Sequence, residues 1–164
     1  MNISRAGSGA LYSVRDATAD DVEFIVDCNM ALAEESEGKK LDRAVLSEGV
    51  IKGLARTELC RYFVAQRERE RVGTTMLTYE LTDWRSGLIW WLQSVYVPPE
   101  FRQRGVFRAI YRHIEALARR DPEVRALRLY VMSDNHRARR TYEAMGMSHA
   151  GYEVYEDELG GQAT

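Results

Sequence analysis

Three arginines, Arg102, Arg104 and Arg108, surround a lone glycine, Gly105, in the stretch from Val95 to Tyr111, VYVPPEFRQRGVFRAIY. An apolar β-branched run stops there at Pro98 and Pro99, and apolar residues at helical spacing restart at Val106. Cations at a helix N-terminus oppose the positive end of the helix dipole and cost a few tenths, about 0.3 kcal/mol or more each. A bound polyanion removes that conflict. Strand, turn, glycine and helix N-terminus together aim several backbone N–H groups at one point, which is chemistry suited to phosphate. The pattern is not a Rossmann turn, because Gly105 lacks partner glycines at 103 and 108, nor a Walker loop, because no Gly-Lys-Ser/Thr occurs in the chain. A plain strand-to-helix turn, whose glycine permits an unusual φ, is the other reading of the same residues.

The elements that must position this turn follow from periodicity. LYSVRDAT predicts a short strand, and Asp20 and Asp21 mark the start of a helix over VEFIVDCNMALAEE. SEGKK breaks it from a second amphipathic piece, LDRAVLSEGVIKGLAR. CRYFVAQ and VGTTMLTYEL predict two strands about the charged turn RERER, and LIWWLQSVYV a third, too apolar for a sheet edge. A helix is expected from Arg104 to Arg120 with Val106, Ile110, Ile114 and Leu117 as its buried stripe. ALRLYVM predicts a strand, NHRARRTYEAMG a helix closed by Gly146, and AGYEVYE a last alternating strand. The order β-α-α-β-β-β-α-β-α-β gives one α/β domain over residues 11–157, with flexible ends at 1–10 and 158–164. Trp84, Trp90 and Trp91 are expected as core and pocket wall.

Composition bounds the function classes. At 164 residues, 45% hydrophobic and 29% charged, the chain suits a single soluble core. No run approaches a membrane span, and the first residues lack a signal-peptide apolar region, so a cytoplasmic protein with no membrane partner is expected. Cys28 and Cys60 have no metal-ligand spacing, and His113, His136 and His149 are scattered; reduced core cysteines and no metal are expected. The net charge of −2 hides a division: residues 1–59 balance at −4, residues 100–140 at +6. The basic half could face a nucleic acid, but a dedicated binder usually has a basic total, so no nucleic-acid partner is expected.

The second half of the chain adds Asn135, Ala138, Tyr142 and Gly146 after an apolar strand, at spacings of three, four and four. Together with Arg102, Gly105 and Phe107 these resemble the GNAT superfamily of acyl-CoA-dependent N-acyltransferases. The resemblance covers roughly the last 80 residues by motif and the remainder by element order. It implies a mixed, mostly antiparallel sheet flanked by helices, and acetyl-CoA as cosubstrate. It implies a pyrophosphate turn built from Arg102, Gln103, Arg104, Gly105, Val106, Phe107 and Arg108, with Asn135 and Tyr142 also on the cosubstrate, and a pantetheine arm paired with the Val95 and Val97 backbone. It further implies that the Val95 N–H meets the thioester oxyanion and that Tyr142 protonates the leaving thiolate. Two departures stand out: Phe107 replaces a small residue, and Gln93 stands where many relatives carry a catalytic Glu.

An amide cannot take a proton. Candidate bases for the amine are therefore Glu80 and Asp83, or Glu34 and Glu35, acting through water. Glu34, Glu35 and Gln93 are the candidate acceptor-binding residues, although the acidic run reads as simply as a solvated helix end. Tyr142 alone reads as a core aromatic; the motif around it points to the acid. The expected reaction is acetyl transfer to a primary amine of a small molecule or peptide, with a homodimer left open. Gln93 keeps alive a non-catalytic acyl-CoA sensor.

Overall fold

The computed structural model describes residues 11–157 and 159, so the readings for residues 1–10 and 158–164 lie, Leu159 apart, outside the described residues. Five strands form one sheet in the order β1-β2-β3-β4-β5: Ser13–Asp16, Cys60–Arg67, Glu70–Thr82, Gly87–Tyr96 and Val124–Leu129. The first four pair antiparallel, and β5 runs parallel to β4. Four helices intervene: α1 Val22–Glu37, α2 Arg43–Ala55, α3 Val106–Arg120 and α4 His136–Ala144. As its composition predicts, β4 lies inside the sheet. No described helix is long and apolar enough to cross a membrane.

Each face of the sheet carries its own core. On one face α3 buries Val106, Ile110, Tyr111, Ile114 and Ala118 against Phe63, Ala65, Leu77, Trp90 and Leu92. On the other, Ile25 and Val26 of α1 and Val50 of α2 meet Cys60 and Tyr62. Cys28 and Cys60 are both free and buried. Gly73 lets α3 start close to the sheet, since a Cβ there would stand 2.9 Å from Val106 Cγ1 and 3.3 Å from the Tyr96 carbonyl. Arg43 ties α2 to α1 through Glu23 and Asp27, and Asp42 caps α2 by accepting from Ala44 and Val45 N–H.

Asp21 joins β1, β3 and the start of α1. Its carboxylate is fully buried and accepts from Arg15 at 2.7 and 3.0 Å, from Arg71 at 2.7 Å and from the Thr18 N–H at 2.8 Å. Burial alone would raise its pKa, but these donors outweigh it and hold the carboxyl well below the usual carboxylate range. A depressed folded-state pKa contributes stability that is complete above the unfolded value near 4 and is lost as pH falls below it. Asp21→Asn should therefore lower stability by about 2–3 kcal/mol at pH 7, less than for a fully buried pair because both arginines keep water contact. Denaturant titrations at pH 7 and pH 3 check this: the gap between variant and wild type should narrow at the lower pH.

Two expectations fail. AGYEVYE forms no strand: residues 152–157 have no regular structure, and Tyr152, Val154 and Tyr155 are 69%, 71% and 90% exposed. Alternation alone does not make a strand, and among the described residues this segment pairs with neither free edge of the sheet, at β1 or at β5. Trp84 is 92% exposed in the turn between β3 and β4, so it belongs neither to core nor to pocket wall, whereas Trp90 is buried.

Candidate active site

The site grows from the point where β4 and β5 part. Their last paired residues are Leu92 and Leu129, after which β4 continues against β3 alone. Its free edge from Gln93 to Tyr96 leaves backbone groups open to a ligand in extended form. Val95 lies within this open stretch. A bulge interrupts the same tract: Met76 faces Gln93 but Thr74 faces Tyr96, and Ser94 takes φ 49°. Thr75 Oγ1 braces the bulge by donating to the Gln93 carbonyl at 2.9 Å.

Beyond Tyr96 the chain enters the arginine turn. Phe101 and Val106 are buried on either side of it, and Gln103, Arg104 and Gly105 form an exposed rim between them. Gln103 and Gly105 both lie in the left-handed region, at φ 61° and 88°. The first helical bond of α3 runs from the Ala109 N–H to the Gly105 carbonyl. Backbone N–H groups from Gln103 to Arg108 thus have no acceptor among the described residues. Left-handed and right-handed residues in succession shape a concave nest of donors, to which the α3 dipole adds. Arg104 and Arg108 stand exposed beside it, and neither makes an ion pair among the described residues.

Arg102 points elsewhere. Its Nε donates to the Val97 carbonyl at 2.8 Å and its Nη2 to Glu35 Oε2 at 2.7 Å. Tyr96 Oη donates to the other Glu35 oxygen at 2.6 Å. Burial alone would raise the Glu35 pKa, yet the bonds from Tyr96 and Arg102 bring it below the ordinary glutamate value. Burial and the same carboxylate push Tyr96 up to about 12. Glu35 is therefore engaged within the protein, while Glu34 stands exposed beside it.

Tyr142 reaches the site from α4. Asn135 caps that helix, its side-chain oxygen accepting from the Ala138 N–H at 3.0 Å, so the Asn-x-x-Ala spacing is first a helix start. The Tyr142 ring meets the Phe107 ring edge-on at 5.4 Å. Phe107, the large residue in the turn, thereby supplies the wall against which the tyrosine rests. Burial raises the Tyr142 pKa, keeping the hydroxyl protonated at neutral pH.

On the α1 side of the sheet, Gln93 Nε2 donates to Thr78 Oγ1 at 2.5 Å. Glu80 is not brought to this point. It pairs across the sheet with Ile89, four residues from Gln93 and so about 13 Å away. Its oxygens meet Trp91 Nε1 at 2.7 Å and Arg128 at 3.5 Å, and Trp91 stacks on Tyr130 at 4.5 Å. Asp83 sits farther off in the turn between β3 and β4, bonded to the Trp84 N–H. Thr75, Thr78 and the Trp91–Tyr130 stack escape motif reading; adjacent polar threonines in an otherwise apolar strand were their only trace. A groove of about 580 Å³ lined by Thr57, Leu88, Trp90 and Leu117 opens at the opposite end of the sheet and holds none of these residues.

Part of the basic surplus of residues 100–140 is occupied within the protein. Arg112 and Arg119 pair with Glu115, and Arg125 donates to the carbonyls of Arg85, Ser86 and Pro122.

Known proteins share this fold. The chain superposes on a possible acetyltransferase from Clostridium difficile 630 with TM-score 0.84 and 38% identity, covering 92% of this chain and 99% of that one. A predicted acetyltransferase with acetyl-CoA from Clostridium acetobutylicum shares the fold at TM-score 0.71 and 15% identity, over 93% and 99% of the two chains. A ribosomal-protein-alanine N-acetyltransferase from Brucella melitensis biovar Abortus 2308 does so at 0.70 and 15%, over 91% and 99%. No curated protein matches the chain. The model of the acetyltransferase (GNAT) family matches residues 23–147, from the first turn of α1 to the glycine turn after α4. With the forked strands, the donor-lined turn and the tyrosine helix all inside that span, the chain belongs to the GNAT acetyltransferase family.

Proposed function

We propose that the protein transfers an acetyl group from acetyl-CoA to a primary amine of a small molecule or peptide. One observation carries the reading: the open edge of β4 at Gln93–Tyr96 leads directly into the N–H nest at 103–108, matching a ligand that joins an amide-bearing arm to a diphosphate. Arg104 and Arg108 add charge to the nest. The amine nitrogen forms a bond to the acyl carbon while the carbon–sulfur bond breaks. The Val95 N–H serves the developing oxyanion, Tyr142 gives its proton to the departing sulfur, and the second proton that the nitrogen sheds as the amide forms returns through water to the tyrosine. The attacking amine must first lose a proton, and Gln93 cannot accept it. Deprotonation thus falls to water, with Glu34 nearby as a partner for a cationic acceptor.

Acetyl-CoA turnover against amino acids, polyamines, aminoglycosides and peptide N-termini tests the proposal; no turnover with any of them, at saturating acetyl-CoA, would sink it. Gln93→Ala should lower kcat less than tenfold, below the 10²-fold or more, roughly, that marks a true acid or base. With no protein base, kcat/KM for an alkylamine should rise about tenfold per pH unit below the amine pKa near 10. A pH-independent rate between 6 and 8 would count against this account. The anchoring of Gln93 to Thr78 also supports a second reading, an acyl-CoA-binding protein without turnover. CoA binding with no acetylated product from the whole panel would select it.

A further inference from the structure

Glu35, one of the acidic residues at the end of α1, has both carboxylate oxygens bonded to residues that flank the cosubstrate turn. The bonds form a closed circuit. Val97 carbonyl, Arg102 guanidinium, Glu35 carboxylate and Tyr96 hydroxyl follow one another at 2.8, 2.7 and 2.6 Å, and Arg102 lies over the Tyr96 ring at 5.3 Å. Tyr96 faces α1 only because of the bulge. Gln93 and Tyr96 are three apart in sequence, yet both oppose residues of β3 that share one face, Met76 and Thr74. The circuit therefore joins the last turn of α1 to the end of β4 and to the first residue of the donor turn.

The turn itself is costly to hold. A non-glycine residue in the left-handed region costs about 1–2 kcal/mol, and Gln103 is one. Such a conformation persists where its flanks over-determine it. Phe101, buried in the core, holds one side of Arg102, and Glu35 holds the Arg102 side chain. We propose, resting on the acetyl-CoA reading above, that Glu35 is a positioning residue for the cosubstrate turn and not part of the acceptor site. It keeps the N–H groups of 103–108 arranged for a diphosphate before the ligand arrives, so that less ordering is left to binding.

Simple electrostatics predicts the opposite outcome, which makes the test sharp. A carboxylate near a polyanion site repels the ligand, so Glu35→Gln would tighten CoA binding if charge alone mattered, and would also release Arg102 for phosphate. The positioning role requires Glu35→Gln to weaken CoA binding about fivefold, a discounted effect for a pair 34% and 43% exposed. KM for the amine should stay unchanged. Tyr96→Phe should act in the same direction with a smaller effect, and adding it to Glu35→Gln should cost less than the separate losses combined. Isothermal titration with CoA and steady-state kinetics with each substrate varied read both quantities. Unchanged or tighter CoA binding in Glu35→Gln, or a rise confined to the amine KM, overturns the inference while leaving the acetyl-CoA reading intact. Wild-type protein that fails to bind CoA overturns both. If Glu35→Gln does not fold, Arg102→Lys carries the test: it keeps the charge but loses the fork that reaches Val97 and Glu35 together, and equal CoA affinity there is again fatal.

Discussion

Gly105→Glu abolishes the stabilisation that CoA confers on the wild-type protein. A ligand at one hundred times its dissociation constant adds about 2.7 kcal/mol. For a chain of this size that raises the melting temperature by about 5–10 °C, at roughly 2–4 °C per kcal/mol. Gly105 lies at φ 88°, and a Cβ added there meets nothing within 4 Å. The substitution is therefore strained but not blocked, and the variant should fold with a melting temperature only a few degrees lower. What it introduces is a carboxylate at the rim of the N–H nest, where it competes for the donors and repels phosphate. Gly105→Ala separates the two effects: it carries the strain without the charge and should keep part of the shift. Differential scanning fluorimetry with and without saturating CoA reads all three proteins. A full shift in Gly105→Glu would show that the nest does not hold the cosubstrate, and no shift in the wild type would remove the cosubstrate altogether.

Tyr142→Phe should reduce kcat about 10²-fold, equivalent to ~2.7 kcal/mol, with little change in KM for acetyl-CoA. The ring stays, so the edge-on contact with Phe107 and the packing of α4 survive. Only the hydroxyl is lost. A thiol has a pKa near 8.5 and a phenol near 10, so a thiolate leaves without complete proton transfer, and the help of an acid sits at the low end of its usual range. Burial raises the Tyr142 pKa further, which sets the direction of its pH dependence: any loss of rate from its ionisation is displaced to more alkaline pH than for a free phenol. Single-turnover measurement isolates the chemical step, and an unaltered rate there would leave Tyr142 a packing residue.

Local signals in the chain carried most of the fold and about half of the site. The strand–turn–helix at 95–111 is visible because prolines, a lone glycine and apolar spacing lie within one short window, and Asn135 to Gly146 likewise. Each of these is a relation between residues a few positions apart. Glu35 and Arg102 are 67 positions apart, and Asp21 and Arg71 are 50 apart. No periodicity links such pairs, so the acidic run of α1 looks like a solvated helix end until the sheet brings Tyr96 and Arg102 beneath it. Glu80 illustrates the reverse error: it stands on the right strand, but the register of β3 against β4 carries it four residues past Gln93. The failed strand AGYEVYE has the correct alternation yet pairs with neither free edge of the sheet. Ser94 carries no mark at all, since a bulge at a serine has none of the glycine or proline signature that betrays other backbone departures.

That bulge has a consequence for how the sequence can vary over evolutionary time. Between Gln93 and Tyr96 the chain uses three steps where β3 uses two, from Met76 to Thr74. Pairing these residues one for one, with no bulge and none removed, would turn everything downstream of Gln93 through one pleat. Tyr96 would swing to the α3 face, away from Glu35, and Val95 and Val97 would exchange the core they pack against for the opposite face. Residues in this tract can be exchanged for others of similar size. The bulge and the residue number are therefore tied: the lineage can lose the bulge only together with one residue, Ser94 being the one whose loss leaves Tyr96 opposite Thr74, and other insertions and deletions should collect in the turns at 68–69 and 83–86.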